Sequence, residues 1–357
     1  MAKEHFVIPI FLPQAGCPFQ CIYCNQNKIT GTDEEMPSPQ EVAGRIESYL
    51  ATIGDRAKDV LVAFYGGTFT GLPLEQQEQL LVTAKRFYER GIIQGIRIST
   101  KPDYISYDIL SAIKDWGVTQ IELGVQSLHD SVLKQAKRGY TASQVAVASK
   151  MIRKRGFVLG HQFMIGLPGD NWHRLIHTVQ TSIQLKPDMV RVYPTLIMEG
   201  TALANLKGYS TLSLDEAIKR ARFMVEFFEH HGVRILRVGL HPPADTKAII
   251  SGPYHPSFKS MVNSHIWGAF IEHIREQTGK IERLTVSDRV VSHVIGFQKQ
   301  NLVSLLNETK IIAVKWLSEN SVVAQSKSLT EVFDRQKFRS HYLTKTIADC
   351  QRETLNL

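Results

Sequence analysis

Neither a disulfide framework nor a membrane span can be drawn from this chain. It has only four cysteines in 357 residues, three of them within one short stretch. That usage leaves no disulfide scaffold and fits a reducing cytoplasm. No apolar run approaches the about eighteen residues of a membrane helix. The apolar segment Phe6 to Leu12 is too short and lacks the flanks of a signal peptide, so it reads as a first strand. Acidic residues are outnumbered, 34 Asp and Glu against 42 Lys and Arg, and the pI is near 9.2. The balance favours anionic partners such as nucleic acid or phosphorylated metabolites, and a solvated basic surface gives the same balance. With 43% apolar and 21% charged residues the composition is that of a soluble globular chain, long enough for one large domain and an appended smaller one.

The three clustered cysteines are Cys17, Cys21 and Cys24, in Cys-Pro-Phe-Gln-Cys-Ile-Tyr-Cys. Thiolates are soft ligands, and three on one short loop can hold an iron–sulfur cluster while leaving one iron without a protein ligand. A structural zinc site takes four ligands, and the remaining cysteine, Cys350, is far away in the chain. Packing cysteines without a metal have no reason to cluster at these spacings.

Downstream, short β-branched runs alternate with longer helical patterns, which predicts a parallel βα architecture. The strands are expected at Phe6 to Leu12, Val60 to Tyr65, Ile96 to Thr100, Val118 to Val125, Phe157 to Ile165 and Met189 to Tyr193. Helices are expected from Pro39, with Ser38 as N-cap, and over Glu75 to Arg90, Ile105 to Trp116, Ala142 to Arg155, Trp172 to Lys186 and Asp215 to His231. Six βα units make three-quarters of a TIM barrel, in which the loops after the strands hold the chemistry. One such loop is Tyr65-Gly66-Gly67-Thr68-Phe69. Its paired glycines serve either a tight turn or close approach of the backbone to a ligand.

The CxxxCxxC spacing with an aromatic residue, Tyr23, before the last cysteine resembles the signature of the radical S-adenosylmethionine superfamily. The resemblance implies a 4Fe-4S cluster on Cys17, Cys21 and Cys24, with S-adenosylmethionine chelating the fourth iron. It further implies reductive cleavage to methionine and a 5'-deoxyadenosyl radical, fed by an external donor such as flavodoxin or ferredoxin. Gly66, Gly67 and Thr68 match the motif that binds the amino group of S-adenosylmethionine. The run from Ile121 to Gly169, with Tyr193 to Thr201 and Asn25 to Gly31, resembles the radical domain of the Elongator catalytic subunit, which acts on tRNA. By that likeness Gln126 contacts the ribose and Arg138, placed on the helix after strand four, pairs with the S-adenosylmethionine carboxylate. The family's Glu-Thr-Arg-Pro-Asp reads Ser99-Thr-Lys101-Pro-Asp103 here. Ser99 and Lys101 keep polarity and charge but lose the carboxylate and the guanidinium fork.

The Elongator likeness ends after Leu240, where no glycine-rich loop for acetyl-coenzyme A is evident. Residues 1–240 are read as the partial barrel, 241–280 as a connecting segment covering it, and 281–357 as a C-terminal α+β domain. In that tail the order strand, helix, turn, helix, strand, strand, helix resembles a KH module, the last helix being expected over Leu329 to Phe338. Gly296-Phe-Gln-Lys299 stands where the RNA-clamping GXXG loop would be, and a cap closing the barrel is the other reading. The expected substrate is RNA, tRNA by resemblance. The alternative is a small metabolite, as for the related oxygen-independent coproporphyrinogen oxidase, in which case His161, His241 or His255 would line the cavity.

Overall fold

A computed structural model describes residues 5–13, 17, 21–24, 36–54, 59–241, 246–327 and 329–355. The stretch Asn25–Gly31 lies outside them. The chain forms two compact units, one of residues 1–211 with 240–253, the other of residues 212–239 with 254–357. This division departs from the boundaries expected at residues 240 and 280.

In the first unit the strands are β1 (His5–Phe11), β2 (Asp59–Tyr65), β3 (Gly95–Thr100), β4 (Val118–Gln126), β5 (Val158–Ile165) and β6 (Met189–Pro194). They lie side by side in chain order, each parallel to its predecessor. Val60 to Phe64 of β2 and Ile96 and Ile98 of β3 are buried, because parallel strands are covered on both faces. The crossover helices are α1 (Pro39–Ile53), α2 (Leu74–Glu89), α3 (Tyr107–Asp115), α4 (Asp130–Gln135), α5 (Ala142–Lys154) and α6 (Trp172–Gln184). This is the partial TIM barrel read from the sequence.

Side-chain caps fix where several of these helices start. Ser38 and Glu41 form a reciprocal capping box on α1, as do Thr141 and Gln144 on α5, and Ser106 and Asn171 cap α3 and α6. Each such cap contributes about 1 kcal/mol. Because a helix that follows a strand begins at the strand's carboxyl end, these caps gather at the face where the cysteine loop also emerges from β1.

Three short strands follow: β7 (Ile197–Met198), β8 (Arg234–Val238) and β9 (Ile249–Ser251). Within the first unit β7 and β9 pair antiparallel, and β8 belongs to the second unit.

The second unit contains α7 (Leu214–His230) and α8 (Phe258–Thr278). The 241–280 segment therefore holds a 21-residue helix where a connecting segment was expected. Val262, Ile266, Phe270 and Ile274 recur at helical spacing and are buried. Next come β10 (Arg283–Ser287), α9 (Val291–Ile295), α10 (Gln300–Ser304), β11 (Lys310–Val314), β12 (Ser321–Gln325), β13 (Thr330–Asp334) and α11 (Arg335–Leu355). The sheet order is β11-β10-β12-β13, with β10 and β11 parallel and the other pairs antiparallel. Thr330 to Asp334 was expected to be helical. It instead pairs with β12, with Phe333 buried between exposed Val332 and Asp334, and the helix starts at Arg335. Arg339 secures it, donating from Nε to Glu226 at 2.6 Å and from Nη2 to Glu229 at 2.5 Å on α7.

Candidate active site at the strand ends

The described part of the cysteine loop is pinned from two sides. The Ile22 N–H donates to Ala136 O at 3.3 Å, and Ile22 O accepts from Leu203 N–H at 2.7 Å. Tyr23 packs against Val132, Ala136 and Leu167. Cys24 N–H closes a turn onto Cys21 O at 3.0 Å, and the Cys17 Sγ lies 2.9 Å from Thr68 Oγ1. Burial, more than anything else, raises the Cys17 pKa, and it pushes the Cys24 pKa up to about 12. In both cases a neighbouring cysteine's charge adds to the rise, Cys21 for Cys17 and both Cys21 and Cys17 for Cys24. Cys17 and Cys24, which resist ionisation, need a cationic centre to become thiolate ligands. Among the described residues no His, Cys, Asp or Glu group is gathered for a single metal ion, so the zinc alternative finds no four-ligand set there.

Gly66 and Gly67 follow β2 with φ of 101° and 55°. In this left-handed region a β-carbon is disfavoured, and their absence leaves backbone open beside the wholly buried Thr68. Gln126 ends β4 at a shift in the β4–β5 register and has φ of 62°. Such a conformation costs about 1–3 kcal/mol in a non-glycine residue and marks side chains re-aimed at functional sites. Among the described residues the buried Gln126 Oε1, Ser99 Oγ and Asp103 Oδ1 have no hydrogen-bond partner. These three orphaned acceptors lie at or just past the carboxyl ends of β3 and β4. Lys101 is buried, with Nζ 3.1 Å from Asp103 Oδ2 and over the rings of Tyr104 and Tyr140. The residues present thus fit both parts of the expected cofactor set: thiols for a cluster, and a glycine cradle with unmatched polar atoms for a polar small molecule.

Arg138 was expected on a helix. It lies instead on the turn after α4, bracketed by Lys137 and Gly139 at φ of 51° and 79°. That turn throws the side chain inward. Nη1 donates to Cys21 Sγ at 2.9 Å and to Tyr23 Oη at 2.8 Å, Nη2 to Gly124 O at 2.8 Å, and Nε to Tyr140 Oη at 2.7 Å. Burial by itself would lower the Arg138 pKa. The facing Tyr140, Tyr23 and Cys21 reverse that and hold it well above the usual guanidinium value.

Sequence reading missed a second group, in the barrel interior. Glu122 of β4 receives Arg97 Nη1 of β3 at 3.0 Å and Arg191 Nη2 of β6 at 3.0 Å. Arg191 Nε stands 2.7 Å from Glu122 Oε2, outside hydrogen-bond geometry. The same Arg191 Nη2 donates to Tyr65 Oη of β2 at 2.7 Å. Glu122 can reach β6 only because the intervening strand places Gly160 there. A β-carbon at 160 would stand 2.9 Å from Glu122 Cγ and 3.1 Å from Met189 Cε. The signal was legible as charges inside apolar strand runs.

His161 is not a cavity residue. Its ring is locked between Ser149 Oγ at 3.0 Å and Ser182 Oγ at 2.9 Å, and burial lowers its pKa to about 3. In the second unit His255 Nδ1 accepts from Ser257 N–H at 3.0 Å, and its ring meets Phe297 edge-on. Cys350 is buried. Gly296 and Lys299 lie in the second unit on the turn between α9 and α10. There Gly296, Gln298 and Lys299 have φ of 85°, 50° and 61°, and Gln298 and Lys299 are exposed.

The family model described as Radical SAM superfamily matches residues 11–181, and that of the Radical_SAM C-terminal domain matches residues 187–267. The chain belongs to the radical S-adenosylmethionine superfamily. Members of this enzyme family use a 4Fe-4S cluster and S-adenosylmethionine, and Cys17, Cys21 and Cys24 fall within the matched residues. An uncharacterised protein of Methanocaldococcus jannaschii is 28% identical over 62% of this chain and 66% of its own length. A tRNA uridine(34) acetyltransferase of Methanocaldococcus infernus is 26% identical over 55% of this chain and 44% of its own. Elongator complex protein 3 of Bos taurus is 27% identical over 57% and 45%. The chain therefore spans less than two-thirds of these relatives. The solved structure of Methanocaldococcus infernus Elp3 superimposes with a TM-score of 0.63 at 20% identity, covering 78% of this chain and 68% of that one, and so shares the fold. No helix among the described residues is long and apolar enough to cross a membrane.

Proposed function

We propose that this radical S-adenosylmethionine protein modifies RNA, and tRNA in particular, at the strand ends of the barrel. The observation that carries the reading is the convergence of the cysteine loop, Gly66-Gly67-Thr68 and the orphaned acceptors Ser99, Asp103 and Gln126 at one end of a barrel of Elp3 type. The tRNA-modifying relatives support the substrate class. When bound, the cluster and S-adenosylmethionine supply one-electron reduction and a carbon-centred radical able to abstract hydrogen. The chain's own residues position and shield. Cys17, Cys21 and Cys24 hold the cluster, and Gly66, Gly67 and Thr68 offer backbone and hydroxyl to the amino group. Gln126 and Ser99 offer acceptors to a ribose, and Lys101 offers a point charge to a carboxylate. Arg138 retains one Nη2 N–H beyond the four donated above, so any contact it makes to that carboxylate is single rather than forked.

Two features support a polyanionic substrate. A cavity of about 460 Å3 at the starts of α4, α5 and α6 is lined by His129, Asp130, His173, Arg174 and His177, with the Arg174 guanidinium as its fixed cation. In the second unit the βααβ order with parallel β10 and β11 is that of a KH-like module, and its exposed Lys299 offers a cation to a phosphate. A metabolite substrate is the weaker reading, since His161 is held in the core by two serines.

The test is 5'-deoxyadenosine formation by anaerobically reconstituted protein with reductant and S-adenosylmethionine, with and without bulk tRNA. Stimulation by tRNA is expected. Gln298→Asp with Lys299→Glu should weaken RNA affinity and flatten its salt dependence by about one unit of slope. Cleavage indifferent to tRNA, together with no RNA binding at low salt, would overturn the reading.

A further inference from the structure

We propose that Arg138, oriented by Tyr140, sets the reduction potential of the cluster through a charge-assisted N–H···S bond to the Cys21 sulfur. The inference rests on the cluster being held by Cys17, Cys21 and Cys24 and is independent of the substrate.

A guanidinium this deeply buried, 6% exposed, ordinarily takes a carboxylate partner, because an isolated buried charge is costly. Among the described residues none stands within ion-pair distance of it. The group facing it is the Cys21 sulfur, 2.9 Å from Nη1, which as a cluster ligand would be its anionic counterpart. The other bonds keep the fork in place. Tyr140 Oη accepts from Nε at 2.7 Å and donates to Gly124 O and to Val125 O, the latter at 3.2 Å. Gly124 O accepts Nη2 as well. The guanidinium carbon lies 5.0 Å from the Tyr140 ring centre and 6.0 Å from that of Tyr23. Gly124 leaves room for this packing, since a β-carbon there would stand 3.2 Å from Arg138 Nη2.

Reduction adds negative charge to a cluster and its thiolates. A fixed cation bonded to one of those sulfurs therefore favours the reduced form, more so away from water. Hydrogen bonds to sulfur and local charge are the levers that protein uses on such potentials. Arg138 is thus a positioning residue acting through Cys21.

The experiment is an electron-paramagnetic-resonance redox titration of the full chain, reconstituted anaerobically, without S-adenosylmethionine or RNA, after iron and sulfide are counted. At the parent midpoint, Arg138→Met should lower the reduced-to-oxidised ratio about tenfold, a negative shift of about 59 mV for a one-electron couple. Arg138→Lys should recover part of it, and Tyr140→Phe should give a smaller shift in the same direction. A fully loaded Arg138→Met protein with an unchanged midpoint overturns the proposal, even if its affinity for S-adenosylmethionine falls. If Arg138→Met does not retain iron, Tyr140→Phe decides, and an unchanged midpoint there overturns it equally. Failure of tRNA to stimulate turnover would sink the substrate assignment and leave this measurement standing.

Discussion

Glu122 is the most sharply testable element of the barrel. Its carboxylate is the sole acidic partner of two buried guanidiniums among the described residues, Arg97 at 3.0 Å and Arg191 at 3.0 Å. Arg97 has further acceptors in Gln120 Oε1, at 2.9 and 2.6 Å. Besides Glu122, Arg191 has among the described residues only phenols, Tyr65 at 2.7 Å and Tyr193 at 3.2 Å. Glu122→Gln keeps the shape but removes the charge, leaving two interior cations uncompensated. Breaking a buried pair from one side costs about 3–5 kcal/mol, a large part of a domain's usual stability of about 5–15 kcal/mol. Because the chain has two units, the readout should be local: amide hydrogen exchange of peptides spanning β4 and β6. Opening should become about two to four orders of magnitude more frequent, at a tenfold per 1.4 kcal/mol. Combining Glu122→Gln with Arg191→Met should cost less than the sum of the two single changes, by at least about 1 kcal/mol. A single-variant loss under about 1 kcal/mol, or strict additivity, would refute the charge argument.

Gly160→Ala should destabilise the first unit by about 1–3 kcal/mol through overpacking against Glu122 and Met189, measured by the same exchange; a neutral result would mean that Glu122 moves aside freely. The His161 imidazole is held neutral by burial, with a pKa of about 3 against an ordinary 6.5. The unfolded chain therefore binds a proton that the folded chain refuses, and stability falls as pH drops from about 6.5 toward 3. Between pH 7 and 5 a His161→Gln variant should lose about 2 kcal/mol less than the parent in urea unfolding, and parallel losses would contradict the assignment. Asn301 is buried and donates to Ser264 O at 3.0 Å beneath the α9–α10 turn. Asn301→Ala should cost about 1–3 kcal/mol and make the Lys299 peptide bond a preferred tryptic site; unchanged cleavage there would count against Asn301 as the support of that turn.

Apart from the six-residue α4, for which no bounds were expected, the strands and helices of the barrel were legible because they are strongly patterned, and the expected boundaries fall within two residues of those found. The thiol loop and Gly66-Gly67 stood out in the sequence by their spacing, and the structure gives both glycines positive φ. Arg138 was singled out but set on a helix, since nothing in Lys137-Arg138-Gly139 announces that a non-glycine residue adopts φ of 51°. Glu122 and Arg191 were missed because their pairing links β4 and β6, strands that are not neighbours in the chain, and Tyr140 because its role depends on the turn that brings Arg138 inward. Helix α8 was passed over because Phe258, Trp267 and Ile271 widen its Val262–Ile274 row, so the sequence shows no sharp apolar and polar faces.

The path of the backbone between the two units restricts how this protein can be taken apart. The chain leaves the first unit at residue 211, returns at 240, and leaves again at 253. A fragment ending at 240 would lack β9, the partner of β7. One ending at 280 would keep α7 and α8 without the Arg339 that binds Glu226. Neither unit is a contiguous cassette that could be expressed, swapped or fused alone. The RNA contribution of the tail should therefore be dissected by point substitutions in the intact chain, because a truncation would report lost folding in the same signal as lost recognition.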